Sequence, residues 1–322
     1  MDKKTTVITM FFNLKNLKDT SKETRPIDFY IQNGKLTLQL QYPMVIFCDE
    51  DTQPILKEIR DTYVDSDIIK TIYIVKKLTD YDFYIHNYSI VSENRRKSNG
   101  YKNPEDRNTV SYFLLMLLKA YSISISKQRN DFNTEFYAWV DFGCSHICRK
   151  FTEYSVKMLD NPNPKVSCCY IHYRSSSELS NMKEYMEYGG KCGVAATAFT
   201  VHKDYADKFK NAMFSIFNEM LYRGYGHSDE TLMTYCYDRF PELFTIYYGD
   251  YYSILTNYHE PQEDLNSIKQ FFIYEALNKN RPDLANHAIC AIIDSLSKNT
   301  TNSEYELLLL DELRSLESRI KV

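Results

Sequence analysis

The sequence predicts an α/β domain built on a mostly parallel central sheet, with a helical appendage after it. Three observations carry this. Short apolar runs rich in β-formers alternate with helix-period segments through the first part of the chain. One such run ends in a carboxylate, Asp141, at the place where open α/β sheets hold their ligands. From Leu265 onward the pattern is helical to the end. Residues 1–262 are accordingly assigned to the sheet domain and 263–322 to the appendage.

The elements follow in order. Val7 to Phe12 is a short apolar run closed by Asn13 and Lys15, and reads as a buried first strand. Ser21 to Leu40 has mixed helical character. Met44 to Phe47, bounded by Pro43 and by the acidic stretch Asp49 to Asp51, is a second strand. Thr52 is placed to cap the next helix, with Pro54 in its first turn and Ile55, Leu56, Ile59 and Tyr63 as its apolar face. Ile68 to Val75 is a third strand, so the spacing implies right-handed βαβ units. Residues 80–107 read as irregular. A helix from about Thr109 to Ile125 precedes the strand Glu135 to Asp141. Val166 to Tyr173 reads as a strand, and Lys203 to Tyr222 as an amphipathic helix ended by Gly224 and Gly226. Ser228 is placed to cap the helix that begins at Asp229. Phe244 to Tyr247 and Tyr252 to Leu255 read as short strands, and Asn299 to Ser303 as a loop within the helical tail.

The bulk numbers narrow the function classes. The chain has 322 residues, 43% hydrophobic and 25% charged, enough to bury a core without staples. A net charge of −4 argues against nucleic acid as the main ligand. The basic run at Arg95, Arg96, Lys97 and Lys102 reads as a solvated loop. No apolar stretch reaches the roughly 20 residues of a membrane span, and the run at Val7 is too short for a secretory signal. A cytoplasmic protein is expected, its eight cysteines free thiols and mostly buried.

Four motifs are candidates for chemistry. In Trp139-Val-Asp141-Phe-Gly143 a strand end presents one carboxylate, the kind of ligand a hard divalent cation uses while keeping positions open for phosphate. A helix-capping or turn aspartate gives the same pattern. Gly189-Gly190-Lys191-Cys192-Gly193 lets backbone approach a ligand, or is simply a tight turn. His227-Ser-Asp229-Glu230 opens a helix, where acidic residues are favoured by the dipole. Either carboxylate could instead serve as a base or hold sugar hydroxyls. His259, in Asn257-Tyr-His259, is a late metal-ligand candidate. A rival zinc pattern, Cys144 and Cys148 with Cys168 and His172, is looser than the usual spacing.

Taken in order, several segments resemble the HtrL/YibB family. They are Val7 to Phe12, Val45 to Asp49, Leu115 to Lys119, and Phe136 to Gly143 with His146. Gly189-Gly190, Asp229-Glu230, and Tyr248-Gly-Asp-Tyr251 with Asn257-Tyr258 complete the set. The resemblance covers about residues 5–262 and implies a GT-A-like nucleotide-sugar-binding fold. It implies transfer from a nucleoside diphosphate sugar, with a UDP-sugar favoured, to a glycan or glycoprotein hydroxyl. Mn2+ or Mg2+ would be held by Asp141, at the aspartate of a DxD motif whose first position is here Trp139, with His259 or a water-rich shell completing the set. Lys119 would face the diphosphate. Thr9, Phe11, Asp49 and Trp139 would lie around the nucleotide, Gly189 and Gly190 would position sugar and acceptor, and Asp229 or Glu230 would act in catalysis. A non-catalytic glycan-binding or assembly protein of the same fold is the alternative. A nucleotidyltransferase is disfavoured because Phe12-Asn-Leu-Lys15, not a glycine-rich loop, follows the first strand. The tail, through the apolar face of Tyr305 to Ile320, packs on its own domain or joins two copies.

Overall fold

A computed structural model of the chain describes residues 3–20, 25–97, 109–187, 192–226, 229–299 and 301–320. It has the expected α/β architecture. The strands are β1 (Thr5–Phe11), β2 (Met44–Cys48), β3 (Thr71–Val75), β4 (Phe136–Val140), β5 (Val166–Tyr170), β6 (Ala198–His202) and β7 (Phe244–Tyr248). They form one sheet in the order β3-β2-β1-β4-β6-β5-β7. All pairings are parallel except those of β6, which runs antiparallel to both β4 and β5. The sequence gives no sign of that reversal.

Helices cover both faces. In chain order they begin with α1 (Ile27–Leu38), α2 (Gln53–Tyr63), α3 (Asp82–Lys97), α4 (Val110–Arg129) and α5 (Phe151–Asp160). Then come α6 (Ser176–Ser180), α7 (Met182–Glu187), α8 (Lys203–Tyr222) and α9 (Asp229–Arg239). The tail holds α10 (Leu265–Ile268), a π-helical turn (Lys269–Ile273), α11 (Tyr274–Asn278), α12 (Pro282–Lys298) and α13 (Glu304–Ile320). Strand alternation sorts the core into two layers. Ile8, Met10, Phe12 and Trp139 face one layer with α4, α8, α9 and the tail helices, while Val7, Phe11, Ala138 and Val140 face the other with α5. Burial on both faces is why β1 and β4 read as unbroken apolar runs. The tail joins the first layer through Ile273, Ile289, Ile292 and Leu313.

Several sequence expectations need correction. Residues 82–97 form α3 rather than an irregular segment, and Arg95, Arg96 and Lys97 sit in its last turn, where the helix dipole favours cations. Tyr252 to Leu255 is not a strand, since Asp250 and Ser253 build a capping box around a 3-10 turn, Tyr251–Ser253. On α2 the expected apolar face is only partly right. Ile55 and Tyr63 are exposed, whereas Arg60 is buried and donates to the carbonyls of Leu38, Leu40 and Tyr42. Thr52 makes no cap bond of its own; its amide and hydroxyl both donate to Asp49 Oδ1, at 2.9 and 2.8 Å. The third strand starts at Thr71, leaving Ile68 exposed, and β5 stops at Tyr170.

Candidate active site

Period-two alternation puts Trp139 and Asp141 on the α4 side of β4, with Asp141 one residue past the strand. On α4, Tyr112, Leu115, Met116 and Lys119 fall on one helical face, which points toward that strand end. The N-terminus of α9 arrives from the same layer, packed on α4 and α8, and brings Asp229 and Glu230 in its first turn.

These side chains meet. The Lys119 ammonium lies 2.8 Å from Asp141 Oδ1 and 2.7 Å from Asp229 Oδ2, and donates to the Ala196 carbonyl at 3.0 Å. Three oxygens thus surround the ammonium within 3.0 Å. Trp139 Nε1 donates to the same Asp141 Oδ1 at 2.7 Å, so the tryptophan in the degenerate motif orients the carboxylate. The ammonium also sits 5.5 Å from the centre of the indole ring. Lys119 and Asp229 are nearly sealed, with side chains 6% and 5% exposed, whereas Asp141 is 30% exposed. Burial raises the Asp141 pKa even against the pull of Lys119. Burial alone would lower that of Lys119, but the two carboxylates outweigh it and the ammonium is held more firmly charged than usual. Glu230 is raised by burial and by neighbouring Asp229. Its Oε2 accepts from Tyr251 Oη at 2.9 Å and from Cys192 Sγ at 2.8 Å.

Beside Asp141 opens a cavity of about 420 Å³ over the ends of β1 and β4. Phe11, Phe29 and Tyr30 give it an aromatic wall, and Phe11 stacks on Phe142 at 4.7 Å. The exposed cations Lys15 and Arg25 line its outer part, Tyr112 and Trp139 its inner part. Two aspartates fix the loop that carries Lys15. Asp49 Oδ2 accepts the Asn13 amide at 2.7 Å, and Asp19 accepts the Ser111 amide and hydroxyl at 2.9 and 2.6 Å. On the opposite wall, α1 is tied down by Thr37 Oγ1 donating to the Phe142 carbonyl at 3.0 Å. Gly34 permits this approach, because a Cβ there would lie 2.1 Å from the Phe142 ring.

Of the residues singled out from sequence, Lys119, Trp139, Asp141, Asp229 and Glu230 come together, and Phe11 joins them through the cavity. Four do not sit as expected. Lys119 is not among the cavity-lining residues, and neither are Asp229 and Glu230; it lies behind Asp141, paired with both aspartates. Thr9 is buried within β1, and Asp49 is committed to the Asn13 loop and Thr52. His259 is exposed and borders the Lys157 carbonyl at 3.3 Å, away from the cavity. Gly189, Gly190, His227 and Ser228 lie outside the described residues. Sequence reasoning missed Tyr112, Lys15 and Arg25, for which no local signal exists. It passed over Cys192 and Tyr251 within motifs it had quoted.

Among the described residues no group of three or more His, Cys, Asp or Glu side chains is arranged to hold a metal. The expected pairing of Asp141 with His259 therefore gives no cage, and neither does the Cys144, Cys148, Cys168 and His172 set. Asp141 nevertheless suits a shared cation. Its Oδ1 is taken, its Oδ2 accepts no described hydrogen bond, and the carboxyl lines the cavity. Mg2+-type ions commonly bind through one carboxylate with substrate phosphates and water completing the shell. The donor set thus fits an ion that arrives with a phosphorylated ligand. No helix of the described residues is long and apolar enough to cross a membrane.

The fold is an α/β domain on one mostly parallel seven-stranded sheet, with its cavity at the carboxyl ends of β1 and β4. The chain belongs to the HtrL/YibB family, whose model, described as "Bacterial protein of unknown function (HtrL_YibB)", matches residues 3–259. It is similar to Protein HtrL of Escherichia coli (strain K12), 22% identical over 260 residues that cover 77% of this chain and 89% of that one. Among solved structures it is similar to mouse xyloside xylosyltransferase 1 in its apo form, with a TM-score of 0.41 and 10% identity over 74% of this chain and 83% of that one. A glycosyltransferase involved in glycosylation of the major capsid of PBCV-1 gives a TM-score of 0.35 and 13% identity over 76% and 81%.

Proposed function

We propose that this chain is a glycosyltransferase that moves a sugar from a nucleoside diphosphate donor, a UDP-sugar by preference, to a hydroxyl of a glycan or glycoprotein acceptor. The observation that carries the reading is the joining of two features at Asp141. An aromatic-walled, cation-lined cavity of about 420 Å³ suits a base, ribose and diphosphate, and it ends on Asp141, through which the buried Lys119–Asp229 pair adjoins it. The aromatic side chains stack the base, and Lys15 and Arg25 meet phosphate charge. A Mg2+ or Mn2+ ion held by Asp141 supplies, when bound, further neutralisation of the leaving diphosphate. Lys119 keeps Asp141 and Asp229 in register. Glu230 receives the proton of the acceptor hydroxyl as its oxygen bonds the anomeric carbon and the diphosphate departs with its bonding pair. Residues 1–262 make up the transferase unit in this reading, and 263–322 brace it.

A thermal-shift panel of UDP-, GDP-, CMP- and dTDP-sugars, each with and without Mn2+, tests this. A ligand that binds the native state alone raises the midpoint according to its affinity. One nucleotide class should raise it, more so with metal, and the same donor should be hydrolysed or transferred. Binding without turnover would favour a glycan-binding role for the fold, and no shift from any donor would remove the reading altogether.

A further inference from the structure

Two motifs that the reaction does not use directly converge on one oxygen. The Gly249-Asp250-Tyr251 segment follows β7, where the capping box of Asp250 and Ser253 turns the chain and Tyr251 Oη reaches Glu230 Oε2 at 2.9 Å. Cys192 lies in the glycine-rich segment, and its thiol donates to that same Oε2 at 2.8 Å. The backbone there is clamped to α9. Thr234 Oγ1 accepts the amides of Gly193 and Val194, both at 3.0 Å, and donates to the Glu230 carbonyl at 2.8 Å. Gly193 is needed for that approach, since a Cβ would fall 2.7 Å from Thr234 Cγ2. Two donors on Oε2 fix the Glu230 carboxyl plane and leave Oε1 with no described hydrogen bond.

We propose that Tyr251 and Cys192 are positioning residues that fix Glu230 as the base of the transfer and oppose its protonation. The proposal rests on the glycosyltransferase reading above. Charge-state logic supports it. The groups that act on Glu230 are Asp229 on its own helix, Lys119 and Tyr112 on α4, Cys192, and Tyr251. Burial and Asp229 favour the protonated acid, which cannot accept a proton. Hydrogen bonds from Cys192 and Tyr251, together with the Lys119 charge, favour the carboxylate. Tyr251 and Cys192 are themselves raised far above their ordinary values, first by burial, so both remain protonated donors at working pH.

The test reads Glu230 directly and then through turnover. Protein carrying 13C-labelled Glu carboxyls is titrated by NMR, with Glu230→Gln assigning the resonance. Tyr251→Phe and Cys192→Ala should each move the Glu230 midpoint upward by about one pH unit, the size of one charge-assisted bond. Cys192→Ser, which keeps a donor, should restore it. A midpoint unmoved in both variants overturns the proposal. With the donor found by thermal shift, the acid limb of kcat/KM should move up in parallel, while the nucleotide-induced shift stays as in the wild type. A limb that stays put while the NMR midpoint moves overturns Glu230 as the base. A wild type that turns over no donor sinks the transferase reading, and the base role with it, yet leaves the clamp measured on its own terms.

Discussion

The donor cavity and the carboxylate cluster share Asp141 but are built in opposite ways. The cavity is wide and aromatic, and its cations, Lys15 and Arg25, stand exposed without a carboxylate partner among the described residues. The cluster is nearly closed, and each of its carboxylates already has a partner. Lys119 meets Asp141 and Asp229, and Tyr251 and Cys192 meet Glu230. The cavity's unmet charge is available to a ligand, so its residues should govern affinity. The cluster hangs on one buried cation, so removing Lys119 disturbs folding as well as chemistry. Substitutions should therefore separate the two regions by the quantity they change.

The largest effect is expected from Lys119→Met. It leaves buried Asp229 and half-buried Asp141 facing each other without their cation, a loss of about 3 kcal/mol at neutral pH. Acidification should shrink that deficit. The folded-state pKa of Asp141 is already raised by burial, so the native protein binds protons that the unfolded chain releases. For such a group, stability rises as pH falls through the folded value. Without Lys119 this dependence steepens. Urea unfolding of both proteins at neutral and mildly acidic pH checks it, and an equal deficit at both would show that the carboxylates do not depend on Lys119.

Asp141→Asn should act in the other direction on stability. The amide keeps an oxygen for the Trp139 indole and removes a carboxylate whose ionisation burial disfavours. Lys119 retains Asp229. The unfolding midpoint should hold or rise, while turnover falls by about a hundredfold or more, as when one charge-stabilising group is lost from an active site. Two partners of one ion pair would then move stability with opposite signs. A destabilised Asp141→Asn would mean that the attraction to Lys119 outweighs the burial penalty.

The same contrast explains what the sequence reveals. Strands β1, β2 and β4 are legible because burial on both faces writes continuous apolar runs, and α8 because its apolar residues recur at helical spacing. Asp141 is legible as a polar residue ending such a run. The antiparallel insertion of β6 leaves no local trace, because a buried strand reads alike in either direction. Lys119 is visible on α4, but its engagement is not, since its acceptors come from β4, α9 and Ala196. The cavity's cations escaped notice because an exposed Lys15 or Arg25 looks like any solvated residue until the fold curls around it. Long-range charge pairing has no period, and periodicity is what a single sequence displays.

Gly34→Ala sharpens the comparison from the cavity wall. The new Cβ would overlap the Phe142 ring at 2.1 Å, so α1 or the ring must move. Overpacking of this kind costs about 1–3 kcal/mol. Because Phe142 stacks on Phe11, the shift should also weaken nucleotide binding. Calorimetry in parallel with urea unfolding should show both losses. A loss of stability alone would detach Phe11 from the base site.

The smallest effect is expected from Arg25→Ala, and it isolates the cavity most cleanly. Arg25 is exposed, with its guanidinium carbon 4.4 Å from the Phe29 ring centre, and it lines the cavity without a described contact to the cluster. Its loss removes no buried charge, so the unfolding midpoint should stay within experimental scatter. If it meets a phosphate, the nucleotide Kd should rise roughly three- to tenfold, the value of one exposed charge-assisted contact. Added salt should narrow the gap between variant and wild type, because screening weakens that contact in the parent. kcat at saturating donor should hold, since Arg25 touches neither Asp141 nor Glu230 among the described contacts. A fall in kcat with unchanged Kd would reverse the division of labour, placing phosphate charge in the reaction and leaving affinity to the aromatic wall.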